Sequence, residues 1–269
     1  MRPRLLLDLG NTRLKWALAS PTPADSAFGL SPWRLGESQA LVHAGPDFLP
    51  ALARALRELP EVDSMHWVAV AAEATVEAVR RCVEDSVRSR RPGLQRATSA
   101  ASAVLHDGRR LICAYPQPDH LGVDRWLGLR GALAELAPPL LVVSAGTALT
   151  LDAVDADCRH LGGLILAGMA EMQTGLLARA PHLVQGSRCP DPDEFWARDT
   201  APAVGMAPWQ AAAGLVERSA RRLQRELGCA PAVVLSGGDA EALLPLLDLP
   251  ARVEPQLVLK GLLQATLDD

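Results

Sequence analysis

The stretch RLLLDLGNTRLKWALAS, residues 4–20, holds two apolar runs on either side of a polar corner. Residues 5–7 predict a buried strand, and residues 15–19 predict the strand that pairs back against it. The corner, residues 8–12, puts a carboxylate, a glycine, an amide and a hydroxyl where the first strand leaves the core. A hairpin turn explains the Asn and Gly on conformational grounds. An anion site explains them equally well, because glycine permits a tight backbone and a close ligand while neighbouring N–H groups face an anion.

A second stretch repeats this pattern. Residues 142–154, VVSAGTALTLDAV, again read as an apolar strand, a turn of small residues and a second strand. Gly146 and Thr147 in that turn offer the same combination of bare backbone and hydroxyl as the first corner. The repeat predicts two similar halves of the chain, with the boundary near residues 110–120.

The rest of the chain alternates between strand and helix patterns, which predicts an α/β protein. The predicted strands are 64–72 and three within 140–168. The predicted helices are 47–60, 74–93, 124–136, 170–180 and 209–227. Residues 232–247 read as strand, Gly-Gly and helix, and residues 256–267 close the chain. Residues 21–46 predict loops with an edge strand, and residues 181–208 predict irregular structure.

Composition excludes several classes of protein. The chain has 269 residues, which suits two small domains. A net charge of −4 argues against a nucleic-acid partner bound by bulk charge. Asp8 interrupts the first apolar run, so that run is not a signal peptide, and no run of about 18 apolar residues predicts a membrane span. The five cysteines are widely spaced without C-x-x-C, which favours reduced thiols and a cytoplasmic protein; they are Cys82, Cys113, Cys158, Cys189 and Cys229.

Common catalytic motifs are missing from the sequence. There is no G-x-x-x-x-G-K-[ST], which excludes a Walker-type phosphate site. No G-x-G-x-x-G follows a strand, and no G-x-S-x-G is present, which argues against a dinucleotide fold and a nucleophile elbow. The six histidines lack metal-ligand spacing.

Three further features each have two interpretations. Asp8 is either a strand-end residue or a ligand that holds Mg²⁺, which in turn holds phosphate. Asp124 and Arg125 are either ordinary first-turn helix residues or a base beside an anion clamp. Residues 237–238 are either a plain strand-to-helix turn, capped by Asp239, or a nucleotide contact at a helix N-terminus.

Taken in order, five stretches resemble the type III pantothenate kinase family. They are DLGNT (8–12), GVDR (122–125), GTALTLD (146–152), GGLILAG (162–168) and SGGD (236–239). The resemblance covers residues 4 to about 265, and SAGTALTLD looks like the Bvg accessory factor branch. It implies an α/β fold with two ribonuclease-H-like domains of the acetate kinase/sugar kinase/Hsp70/actin superfamily and a cleft between them. The implied domains are residues 1–115, with the first phosphate loop, and 116–269, with the second phosphate loop and the pantothenate-binding segment.

The resemblance also implies an activity, which is the ATP-dependent phosphorylation of pantothenate to 4'-phosphopantothenate, the first step of coenzyme A biosynthesis, by a homodimer. Asp124 would be the general base and Asp8 would organise Mg²⁺, directly or through water. The implied ATP and phosphate contacts are Asp8, Leu9, Gly10, Asn11, Thr12, Arg13, Leu14, Lys15, Gly146, Thr147, Gly237 and Gly238. The implied pantothenate contacts are Tyr115, Gly122, Val123, Asp124, Arg125 and Thr200.

This sequence departs from the family pattern at three positions. Ser144 stands where many members have an Asp that binds a monovalent cation, and a hydroxyl is a poorer cation ligand, so the need for K⁺ or NH₄⁺ stays open. Ala167 replaces a proline, and Asp199 replaces an asparagine. Two other functions also stay open. One is an accessory regulatory protein of the same fold that acts by partner binding, and the other is a superfamily kinase with a sugar substrate.

Overall fold

The computed structural model describes residues 2–22, 33–91, 93–184, 193 and 195–267. The chain forms two compact units, of which the first is Met1–Glu135 with Gln256–Asp269 and the second is Leu136–Pro255. Each unit has its own sheet and its own helices. Cys189, one of the cysteines predicted to be reduced thiols, lies outside the described residues, while Cys82, Cys113, Cys158 and Cys229 form no disulfide in the described part of the chain.

The helices and strands are as follows, in chain order. The strands are β1 (Arg4–Leu9), β2 (Arg13–Pro21), β3 (Trp33–Leu35), β4 (Gln39–Val42), β5 (Ser64–Ala69), β6 (Leu94–Arg96), β7 (Ser102–Val104), β8 (Arg110–Ile112), β9 (Leu140–Ala145), β10 (Ala148–Val154), β11 (His160–Ala167), β12 (Ala232–Ser236) and β13 (Ala251–Val253). The helices are α1 (Phe48–Arg57), α2 (Glu73–Ser86), α3 (Val123–Leu133), α4 (Met169–Arg179), α5 (Thr200–Leu227), α6 (Ala240–Leu243) and α7 (Leu257–Ala265), with short 3-10 helices at Pro118–His120 and Leu244–Leu246.

The two main sheets have the same strand order. The first is ordered β3-β2-β1-β5-β6 and the second β11-β10-β9-β12-β13. In each sheet the first three strands pair antiparallel and the last two join parallel. The first sheet gains β4 beside β2, and β7 and β8 form a separate hairpin. This duplication confirms the predicted α/β fold and the internal repeat.

The first sheet is covered on both faces, and its strand β1 shows how. Leu5, Leu7 and Leu9 pack into a core with α1 and α2. Because side chains alternate along a strand, Leu6 and Asp8 lie on the other face, where α7 packs against β1. One face of β1 is therefore apolar throughout, and the other carries Asp8 near its end.

Helix α7 completes the first unit through very close packing on α3. A Cβ added at Gly131 would lie 2.1 Å from the Leu257 carbonyl oxygen, and one at Gly261 would lie 1.8 Å from that of Leu127. Any larger side chain at these two positions would push the helices apart. The unit boundary after Glu135 thus differs from the predicted boundary between residues 115 and 116, because α3 packs against α7 and belongs with the first sheet.

Helix α5 begins earlier than the pattern predicts. It starts at Thr200 rather than near residue 209, and the Asp199 carboxylate accepts a hydrogen bond from the Thr200 N–H at 2.6 Å. Pro202 lies in the first turn, where the missing N–H would have no helical partner, so it does not delay the start. Pro202 is therefore compatible with the start of the helix, whereas Pro208 lies inside α5, where it removes one backbone hydrogen bond.

Among the described residues, no helix combines the length and hydropathy that crossing a bilayer requires.

Candidate active site

The first candidate site residue is Asp8, a carboxyl group in the sheet of the first unit. It lies near the end of β1, directly opposite Lys15 of β2 and beside Val68 of β5. Burial raises the pKa of the Asp8 carboxyl from 3.8 to about 7; the Lys15 ammonium lowers it, and the Asp124 carboxylate raises it. Asp8, Lys15 and Asp124 are therefore close enough to interact electrostatically, although Asp124 lies far along the chain at the start of α3.

This arrangement fits a divalent metal. A carboxyl that burial and a like charge keep partly protonated gains most from a nearby cation. No cluster of three or more His, Cys, Asp or Glu side chains occurs in the described part of the chain. Mg²⁺ bound with nucleotides needs only one or two carboxylates, since phosphates and waters complete its shell. Asp8 is the residue best suited to that role.

The tip of the β1–β2 hairpin is open to solvent. Asn11 and Thr12 are exposed, and the Gly10 N–H donates to the Arg13 carbonyl at 3.0 Å. Gly10 has no left-handed backbone, and a Cβ there would make an ordinary 3.4 Å contact. The turn itself therefore does not require a glycine, and the close approach of a ligand to Gly10 stays a prediction.

Some residues of the predicted first phosphate loop lie inside the core. Leu9 and Leu14 have no exposed surface, so only their backbone can meet a ligand. Arg13 is exposed and Lys15 is partly buried on the Asp8 side of the sheet. The sequence pattern alone does not separate these core residues from their exposed neighbours.

His43 contacts the same hairpin tip, a role that sequence reasoning missed. Its Nε2 donates to the Gly10 carbonyl at 2.9 Å, and its backbone N–H donates to the Thr12 carbonyl at 3.1 Å. Its ring also packs against Phe48, with 5.9 Å between ring centroids. No local signal identifies His43, because its proximity depends on the pairing of β2 with β4.

The segment that the resemblance assigns to pantothenate binding begins at Tyr115 and reaches into α3. Asp124 lies in the first turn of α3, and its Oδ1 accepts the Arg125 N–H at 2.9 Å. Arg125 is buried, and its guanidinium donates to the Tyr115 hydroxyl at 3.2 Å and stacks 5.8 Å from that ring. A Cβ at Gly122 would lie 2.7 Å from the Asp124 carboxylate. Among the predicted pantothenate contacts, Tyr115 and Arg125 therefore contact each other, and Gly122 lies against the Asp124 carboxylate. Val123 lies between Gly122 and Asp124 in the chain.

The second loop, between β9 and β10, is held by two glycines of the second unit. A Cβ at Gly168 would lie 1.9 Å from the Gly146 carbonyl oxygen, and one at Gly237 would lie 2.0 Å from that of Ala145. Gly237 also has a φ of +96°, which favours glycine. Gly146 itself has open space where its Cβ would be. Gly168 and Gly237 therefore pack tightly against the backbone of this loop, while a side chain at Gly146 would meet no neighbouring atom.

The remaining predicted residues of the second unit have these positions. Ser144 lies at the end of β9 in register with Ser236, and Thr147 follows in the turn. Gly238 follows Gly237, after which the Asp239 N–H donates to the Ala145 carbonyl at 3.1 Å. Thr200 is exposed at the N-terminus of α5. The roles of these residues stay predictions.

Comparison with known proteins decides the family. A profile of type III pantothenate kinase matches residues 4–222. The chain belongs to this family. A type III pantothenate kinase of Cupriavidus taiwanensis is 37% identical over 279 residues, covering 97% of this chain and 96% of the relative. One of Stenotrophomonas maltophilia is 37% identical over 257 residues, covering 96% and 94%.

A solved structure has the same fold. It is a Campylobacter jejuni protein assigned to the Baf family of transcriptional activators, with a TM-score of 0.53, 16% identity and 98% coverage of both chains. Membership of the type III pantothenate kinase family implies ATP as the phosphoryl donor and a divalent metal in general. The family assignment confirms the resemblance drawn from the five motifs.

Proposed function

We propose that this protein transfers the γ-phosphoryl group of ATP to the primary hydroxyl of pantothenate, giving 4'-phosphopantothenate and ADP. The observation that carries this proposal is family membership over nearly the whole chain. The electrostatic coupling of Asp8, Lys15 and Asp124 supports it, because phosphoryl transfer depends on positioning and charge stabilisation more than on covalent help.

Asp124 is proposed to act as the general base. The hydroxyl oxygen of pantothenate attacks the γ-phosphorus, the bond from that phosphorus to the bridging oxygen breaks, and ADP leaves with that oxygen. The hydroxyl proton passes to the Asp124 carboxylate. Arg125, a buried residue whose guanidinium donates to the Tyr115 hydroxyl, is proposed to bind the carboxylate of pantothenate.

The phosphates of ATP are proposed to bind at the exposed corner 10–12 and at Gly146 and Thr147. Bare backbone and hydroxyl groups suit phosphate oxygens at both places. Asp8 is proposed to hold Mg²⁺, which when bound neutralises phosphate charge. Lys15 faces the same carboxylate and adds positive charge there. Gly237 and Gly238 are proposed to lie near the adenosine, and Thr200 to contact pantothenate.

Ser144 bears on whether this chain binds a monovalent cation. Ser144 offers one hydroxyl where a carboxylate would bind K⁺ or NH₄⁺ more strongly. We therefore propose that any stimulation by these cations is weak. The protein is further proposed to act in the cytoplasm, where thiols stay reduced.

A homodimer is proposed, and the second sheet offers a surface for it. Edge strand β11 exposes apolar side chains on both of its faces, with no charged residue between them in the sequence, namely Leu161, Leu164, Ile165 and Leu166. Uncharged apolar edges are normally covered, since they otherwise pair with other chains.

The decisive experiment measures ADP release by purified protein with ATP and Mg²⁺. Pantothenate is compared with a panel of sugars, each with Na⁺, K⁺ or NH₄⁺. We expect release that depends on pantothenate alone, and little change with the monovalent cation. Release with a sugar would favour a sugar kinase, whereas no acceptor-dependent release in any salt would favour the accessory protein.

A further inference from the structure

His43 makes two contacts with the corner between β1 and β2. Its side chain reaches the Gly10 carbonyl, and its backbone N–H reaches the Thr12 carbonyl. A carbonyl oxygen can only accept, so the Nε2 of His43 carries the proton in this contact. The residue follows β4 directly, so both contacts extend the β2–β4 pairing to the hairpin tip.

The side-chain contact fixes the orientation of one peptide group. The bond between Gly10 and Asn11 is trans, so the Asn11 N–H points away from the Gly10 carbonyl. Because that carbonyl faces His43, the Asn11 N–H faces the opposite side, where the hairpin tip is exposed. Without the hydrogen bond, this peptide plane could rotate and present its oxygen to an anion instead.

His43 is itself well anchored. Its ring packs against Phe48, a core residue of α1 that is only 7% exposed. The hydrogen-bond donor is therefore held in place before any ligand arrives, which is the condition for useful preorganisation.

We propose that His43 is a positioning residue that turns the Asn11 N–H toward the phosphates of ATP. The proposal rests on the proposed function of the corner 10–12 as a phosphate loop. It concerns orientation only, and His43 touches neither the nucleotide nor the acceptor.

The test replaces the donor and keeps the packing. His43→Phe retains an aromatic ring against Phe48 but cannot donate, while His43→Gln retains an N–H donor. His43→Leu is a second variant without a donor, in case the Phe variant is unstable. His106→Leu is the matched control, a partly buried histidine of the same unit on the β7–β8 turn.

Each variant is measured for steady-state kinetics and, separately, for ATP binding by calorimetry in Mg²⁺. We expect His43→Phe and His43→Leu to raise KM for ATP and weaken ATP binding by about five- to tenfold, the value of about one hydrogen bond. KM for pantothenate stays unchanged. His43→Gln and His106→Leu stay within about twofold of the wild type.

Three results would overturn the proposal. They are unchanged ATP binding without the donor, equal loss in the Gln variant, or an equal rise in KM for pantothenate. A lower thermal stability alone would not produce a change selective for ATP. If the wild-type protein binds ATP but phosphorylates no pantothenate, the proposed function fails, and the binding measurements still decide the role of His43.

Discussion

At the scale of single residues, the surroundings of Asp8 and of Asp124 have opposite effects on the charge of the two carboxylates. Asp8 lies in the sheet, where burial makes its charge costly, while Asp124 lies at a helix start, where the helix dipole favours its charge. We expect the two carboxyls to divide the work: Asp8 holds the cation, and Asp124 must be ionised, as the helix dipole favours, before it can accept a proton.

Asp124→Asn tests the proposed base. Asparagine has the same size but cannot accept the hydroxyl proton, so we expect kcat to fall by about 10²–10⁴-fold. ATP binding and thermal unfolding should change little, because Asp124 is partly exposed. Retained turnover in this variant would remove Asp124 from its role as base.

Asp8→Asn tests the half-buried Asp8 carboxyl through the pH dependence of the free energy of unfolding. With a folded pKa near 7 and an ordinary value of 3.8, only the folded state holds the proton between these pH values. The free energy of unfolding therefore falls as pH rises from about 4 to 7, and the penalty is complete above 7.

In the absence of metal, we expect Asp8→Asn to be more stable than the wild type at pH 8 by on the order of 4 kcal/mol, since the shift of about three pKa units is worth about 1.4 kcal/mol per unit. The difference should shrink by pH 5, and turnover should be lost at both pH values. Thermal unfolding at pH 5 and pH 8, with a chelator present, measures the difference in stability between the variant and the wild type. An advantage that is the same at pH 5 and pH 8 would contradict the raised pKa.

At the scale of elements, the second loop depends on the helix behind it. The start of α4 lies so close to the loop that Gly168 has no room for a side chain. The Gly168 N–H also donates to the Thr147 carbonyl at 2.9 Å. The position of this loop thus depends on Gly168, which comes about twenty residues later in the chain, after β10 and β11.

Gly168→Ala should displace this loop. We expect KM for ATP to rise by about tenfold or more, because the new Cβ must push the Gly146 carbonyl away, and the stability to fall. Gly175→Ala is the control in the same helix, since its Cβ would have open space. That control should leave the kinetics unchanged and stabilise the protein by up to about 1 kcal/mol. Equal kinetics in both variants would refute the bracing role.

The sequence predicted the elements with strong periodicity and missed those that depend on partners. The hairpin of residues 4–20 and the three strands after Leu140 are present as predicted, since alternation and turn residues are local signals. The short strands β6, β7, β8 and β13 were missed, because three residues carry no period. The predicted helix 74–93 ends at Ser86, since Val87 is already extended.

The sequence predicted which residues form the candidate site but not how they are arranged in space. The motifs identified Asp8 and Asp124, and the structure adds that their charges interact. The contact of His43 could not be identified, and neither could the packing role of Gly168, although Gly168 ends the motif GGLILAG, because these roles come from strand pairing and close helix packing. Such contacts join positions that no short motif contains.

At the scale of the whole molecule, the two units differ in which surfaces they leave exposed. The first sheet is covered by helices on both faces, whereas β11 of the second sheet exposes apolar side chains on an edge. A second copy of the chain is the partner that the homodimer proposal requires there.

Ile165→Lys tests that surface. Ile165 is 65% exposed, so the substitution costs the folded monomer little, but it places a charge in the proposed interface. We expect light scattering after size exclusion to show a dimer for the wild type and a monomer for this variant. Val104→Lys, at a 50% exposed position in the first unit, is the control and should stay dimeric. A wild-type monomer would end the homodimer proposal, and a dimeric Ile165→Lys would move the interface elsewhere.

The packing of α3 on α7 has a consequence for biosynthesis. The ribosome releases residues 1–135 first, but the helix that fits against Gly131 comes only after all of residues 136–255. Domains generally fold as they emerge, so the second unit can fold while the first still lacks a helix. A chain of residues 1–255, released from the ribosome, should therefore protect its second unit from protease and leave its first unit, with Asp8 and Asp124, open to digestion.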